Sequence, residues 1–152
     1  MSLDALQAAL EASLTHASPL TRSIFARNRL SALAVQRIIN EVMGGTVATV
    51  SPDGAPHAAV VLVACHDGTI LFTVSPHSRL LGDLHGSSKV ALSVIAAKHD
   101  LIVQGRAEKL GRAGDLPELV RDLHRLSRKG RFTPHGWPGY LYAISIDKIF
   151  AS

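Results

Sequence analysis

The chain has 152 residues, 47% hydrophobic and 18% charged, a balance that fits one ordered globular domain and excludes a disordered or low-complexity chain. No apolar run approaches the roughly 18 residues of a membrane span, the N-terminal MSLDALQAALEASL lacks the basic flank of a secretion signal, and the one cysteine, Cys65, cannot form an internal disulfide. A reduced cytoplasm is therefore expected, and the formal charge of +4 favours small anionic partners such as phosphates or carboxylates.

In chain order, Leu3, Leu6, Leu10 and Leu14 recur at helical spacing behind Ser2 and predict a helix to about Thr15. Ser18-Pro19 reads as a cap with proline at the first helical position. Helical spacing continues through Leu20, Ile24, Phe25, Leu33, Ile38 and Val42, re-capped at Ser31 and ended by the Gly44-Gly45 pair. From Thr46 the character changes. Strands are predicted over 46–51, 56–65 and 69–75, joined by turns at Pro52-Asp53-Gly54 and His66-Asp67-Gly68. A short helix follows over 76–85, starting at Ser75-Pro76. A hairpin covers 89–97 and 101–110, and a helix capped by Asp115 has Leu116, Leu119, Val120, Leu123 and Leu126 as its apolar face. The last strand, 140–150, alternates.

These strands predict an α+β fold, mainly β: a six-stranded antiparallel barrel, closed or partly closed, with 45–152 forming the barrel and 1–44 a helical N-terminal extension of the same domain. Within it Ala58–Ala64 (AAVVLVA) is apolar at every position. One face of that strand would fill the barrel, and the other needs a cover, most simply a second copy, because an exposed apolar stripe is a sticky surface. A homodimer is expected.

The pieces GTVATVSPDGAPHAAVVLV, ILFTVSPHSRLLGDL, KVALSV and LIVQGRAEKLG, in this order over roughly 45–111, resemble the pyridoxamine 5'-phosphate oxidase-like split β-barrel family of flavin- and deazaflavin-binding proteins. The resemblance rests on Asp53-Gly54 with Pro56, Phe72-Thr73, Ser78-Arg79 with Leu84, and Gly105 with Ala107. It implies FMN in a cleft between two subunits, with the phosphate on the segment matching Thr73, Val74, Ser75, His77, Ser78 and Arg79. The residue types suit that role: Ser78 offers a hydroxyl, Arg79 a fork of donors for two phosphate oxygens, and a helix start its unpaired amides. The backbone of Val60, Val61, Leu62 and Val63 is the candidate partner of the isoalloxazine edge, and Trp137 a candidate stacking or stapling residue.

The family resemblance also implies an oxidoreductase in which the flavin N5 takes up a hydride or electrons and passes them to a small-molecule substrate. A deazaflavin coenzyme in place of FMN, or a non-catalytic flavin or haem carrier, are the alternatives. Positions that carry cations in true pyridoxamine phosphate oxidases are Ala59, Ala64 and Leu80 here, and a glutamine position is Asp100, so oxidation of vitamin B6 is not expected. The 8 histidines include no metal-ligand spacing, and no metal site is expected. The basic stretch with Arg121, Arg125, Arg128, Lys129 and Arg131 suits a solvated helix end or an anionic tail; with no reading helix and few aromatics, nucleic acid is not an expected partner.

Overall fold

The computed structural model describes residues 1–127 and 137–152. Three helices come first: α1 (Leu3–Thr15), α2 (Pro19–Phe25) and α3 (Ala32–Val42). Each begins where the sequence places a hydroxyl cap, since Ser2, Ser18 and Ser31 accept from the backbone N–H three residues on. The strands are β1 (Gly44–Val50), β2 (Pro56–His66), β3 (Thr69–Val74), β4 (Lys89–Ile95), β5 (Asp100–Arg112) and β6 (Tyr140–Ala151), with α4 (Arg79–Gly86) and α5 (Pro117–Leu126) inserted between them. All pair antiparallel in the order β1-β2-β3-β6-β5-β4, and β1 meets β4 to close the barrel. The expected fold is the observed one.

Several boundaries differ for identifiable reasons. Gly44 and Gly45 do not end α3; they are the first residues of β1, and Met43 takes the left-handed turn at φ 61°. Glycine at position 45 answers a need for space, because a Cβ there would stand 2.9 Å from Val63 and 3.0 Å from the Ser93 carbonyl oxygen. Helix α4 starts at Arg79 with Ser78 as its cap, three residues later than expected. Asp115 lies in a 3₁₀ turn ahead of α5, whose cap position is Leu116 with no side-chain bond. The turn at Asp67-Gly68 has positive φ at both residues, the twist that suits a two-residue hairpin.

Alternation along the strands sends Val47, Val61, Val63, Phe72, Leu92, Val103 and Ile144 into one buried cluster. Helices α1 and α3 join that cluster through Leu6, Leu10, Val35 and Ile39, each worth about 1.5–3 kcal/mol when fully buried. Helix α3 is also stitched to β2 by polar atoms. The Asn40 amide donates to the Cys65 carbonyl (2.9 Å) and accepts from the Cys65 N–H (2.8 Å). Helix α5 covers a separate patch outside the barrel, with Leu123 against Ala64, Leu71 and Leu141.

Candidate functional site

Strand β2 pairs with the whole length of β1 through its first seven residues, from Pro56 to Leu62. Its pairing with β3 is confined to Val63–His66 against Thr69–Phe72. Beyond Val63 the two strands diverge, while β3 continues against β6 through Thr73 and Val74. The barrel is therefore split along one seam. A cleft of about 470 Å³ occupies it, within the size range of small-molecule and cofactor sites.

The orientation of the backbone in the split follows from one hydrogen bond. The Val63 N–H donates to the Met43 carbonyl on the β1 side at 2.8 Å. Successive residues of a strand turn their N–H and C=O to opposite edges, so Val61 faces β1 and Val60 and Leu62 face the split. The N–H and C=O groups of Val60 and Leu62 thus form a strand edge without a β3 neighbour.

At the far end of the cleft the chain leaves β3 and turns into α4. The Ser78 N–H donates to the Ser75 carbonyl (3.1 Å), and the Ser78 hydroxyl accepts from the Leu80 N–H (3.1 Å), which fixes the turn and the first α4 residues. A hydroxyl used as an acceptor in this way keeps its own proton for a ligand. Arg79 is exposed and forms no hydrogen bond or ion pair among the described residues.

Of the residues singled out from the sequence, Val60, Val61, Leu62, Thr73, Val74, Ser75, Ser78 and Trp137 line this cleft. Val63 does not; it is wholly buried in the barrel core. His77 and Arg79 stand outside the lining on the exposed turn, where the His77 N–H donates to Ser75 Oγ at 3.4 Å. The Trp137 ring also lies so close to Gly139 that a Cβ there would collide with it. Gly44, Ala59 and Leu80 line the cleft as well and were missed as lining residues. Ala59 and Leu80 had a signal, as the positions where the resembling family carries cations. The cleft wall they form is apolar instead. Of the basic stretch, Arg125 pairs with Asp122 at 3.1 Å, while Arg128, Lys129 and Arg131 lie outside the described residues, as does His135.

Two further groups bear on chemistry. Cys65 is fully buried, with its thiol donating to Gln36 Oε1 (3.4 Å); burial pushes its pKa up to about 12, so it is no nucleophile. Asp83 on α4 is 4% exposed and receives two hydrogen bonds on one oxygen, from Thr49 Oγ1 (2.8 Å) and from His57 Nδ1 (2.8 Å). The Thr49 bond foremost, with His57 beside it, holds the carboxyl below the usual carboxylate range against the opposing effect of burial. No group of three or more His, Cys, Asp or Glu side chains fit to hold a metal occurs among the described residues. No helix there is long and apolar enough to cross a membrane.

Comparison with solved structures places this barrel among known ones. It matches Atu2129, a protein of unknown function from Agrobacterium tumefaciens, with a TM-score of 0.63 and 17% identity over 80% of this chain and 56% of that one. This chain thus spans little more than half of that relative. It matches HutZ, a haem storage protein from Vibrio cholerae, with a TM-score of 0.61 and 14% identity, covering 76% of this chain and 90% of HutZ. An F420 reductase matches with a TM-score of 0.58 and 18% identity, covering 75% and 94%. Identities this low carry the fold alone. No curated protein matches the chain. In sequence, the profile of the pyridoxamine 5'-phosphate oxidase family matches residues 33–133, which include β1 to β5 and the whole cleft apart from Trp137. With that match laid over a barrel split between β2 and β3, the chain belongs to the pyridoxamine 5'-phosphate oxidase-like split-barrel family.

Proposed function

We propose that the chain is one protomer of a homodimeric, FMN-binding oxidoreductase acting on a small molecule. The observation that carries this reading is the β2 edge at Val60 and Leu62, which has no strand partner on that side among the described residues, facing a cleft whose other end is the Ser75–Arg79 turn. A flavin has the matching parts: a flat ring with a hydrogen-bonding pyrimidine rim, and a phosphate at the end of a chain. Main-chain groups of Val60 and Leu62 would meet the rim, while Ala59, Val61 and Val74 give the ring a dry wall. Ser78 and Arg79, whose guanidinium has no partner among the described residues, would hold the phosphate, with charge-assisted bonds from the guanidinium.

The ring, when bound, supplies the redox chemistry; the chain binds it, orients it and keeps water from its face. With Ala59 and Leu80 in the cleft wall, and Ala64 buried under α5, the three positions where pyridoxamine phosphate oxidases carry cations for the cofactor and the substrate phosphate hold apolar side chains. This wall favours a substrate other than pyridoxamine phosphate.

The dimer is supported by the other side of β2. Val60 is 84% exposed and Leu62 44%, with Ala58 exposed beside them. They continue across register partners onto Thr46 and Ala48 of β1, giving an apolar face that borders the cleft. A second copy seated there would complete the cleft from its open side.

Equilibrium titration with FMN and with riboflavin, followed by flavin fluorescence, tests the reading. Tight FMN binding with much weaker riboflavin binding is expected. No binding of FMN, together with binding of a deazaflavin coenzyme or haem in parallel titrations, would transfer the cleft to that ligand.

A further inference from the structure

The Asp83 carboxylate is buried, doubly hydrogen-bonded and away from the cleft lining, which leaves its purpose to be found in what it joins. Thr49 and His57 are direct cross-strand partners on β1 and β2. Asp83 stands on α4, the helix whose cap is Ser78. One carboxylate oxygen therefore bolts α4 across the β1–β2 pair. The same helix is anchored at its start by Leu80, which is 1% exposed and lines the cleft. Between these two anchors α4 has little freedom to slide or tilt, and the Ser75–Arg79 turn is fixed with it.

We propose that Asp83 is a positioning residue: through Thr49 and His57 it locks α4 so that the turn at Ser75–Arg79 is preorganised for the phosphate of the ligand. The proposal rests on the flavin reading above, for it concerns the phosphate end of that ligand. Preorganisation raises affinity by lowering the ordering cost at binding, without any contact to the ligand. Asp83 touches Thr49 and His57 and borders the buried Ser51 hydroxyl; His57 is the one charged or titratable partner that acts on it. A clamp of this kind affects the phosphate end of a ligand and leaves the ring end, on β2, alone.

The test uses the ratio of FMN to riboflavin affinity in the intact protein, with the variants Asp83→Asn, Thr49→Val and Thr49→Ser. Asp83→Asn keeps the shape and removes the charge, Thr49→Val keeps the shape and removes a donor, and Thr49→Ser restores that donor. The first two are expected to lower the preference for FMN by about three- to tenfold each, the ordering cost of a turn no longer held in place, with riboflavin affinity held. Thr49→Ser should retain the parental preference. A general loss of structure would instead weaken both ligands together. If Asp83→Asn fails to fold, the Thr49 pair decides the question alone. A parent that prefers FMN, with variants that keep that preference, overturns the clamp and spares the flavin reading. A parent that binds FMN and riboflavin alike overturns both.

Discussion

Val60→Asp probes the apolar face where it is most exposed. Val60 is 84% exposed in the protomer, on the outer side of β2 opposite Thr46. An acidic side chain there costs the isolated barrel little, within about 0.5 kcal/mol for a surface position. In a two-fold dimer the same position is buried twice, because the interface is isologous. Each copy then loses about 1.5–3 kcal/mol of valine burial, so the pair loses at least about 3 kcal/mol, before any cost of desolvating the carboxylates. That corresponds to a dimer dissociation constant raised at least about 100-fold. Sedimentation velocity over a concentration series reads the result directly. The parent is expected at twice 16.2 kDa, and the variant at 16.2 kDa while still folded by circular dichroism. A parent already monomeric, or a variant that dimerises as the parent does, would refute the reasoning.

Three other outcomes follow from the same structure. Arg79→Ala should weaken FMN by about 1.5–3 kcal/mol and leave riboflavin unchanged in a titration, because the exposed guanidinium has no other partner among the described residues. Gly105→Ala should destabilise the fold by about 1–3 kcal/mol in urea unfolding, since Gly105 sits at a bulge against β6 and a Cβ there would strike the Ser145 carbonyl. Asp83 gives an acid limb to stability. Its folded pKa lies below the unfolded value, so its contribution is complete above the ordinary carboxylate range and is lost as pH falls through the lowered folded value. Thr49→Val should therefore move the acid unfolding midpoint upward, as followed by circular dichroism.

Much of this molecule is legible in its sequence, and the failures have physical causes. The strands were readable because alternation and turn residues agree: Pro52-Asp53-Gly54 and Asp67-Gly68 both turn the chain, and Gly54 and Gly68 both take positive φ. The run Ala58–Ala64 was readable as doubly apolar, and the structure divides its outer side in two. Ala64 lies beneath α5, whereas Val60 and Leu62 remain open. Gly44-Gly45 misled because glycine has two uses. Here Gly45 provides room beside Val63 and Leu92, not a left-handed turn, and Met43 supplies the turn. Val63 lies outside the cleft because it is already paired with Phe72 of β3 and its side chain fills the core, a boundary that the apolar run alone does not mark. The Asp83 clamp joins residues 26 and 34 positions apart, and no local pattern announces it.

The visible absorption spectrum of the purified protein tests the central claim most directly. A protein carrying the band of an oxidised flavin, released as FMN on denaturation, is the expected result. A colourless protein that gains no such band when FMN is added would contradict it.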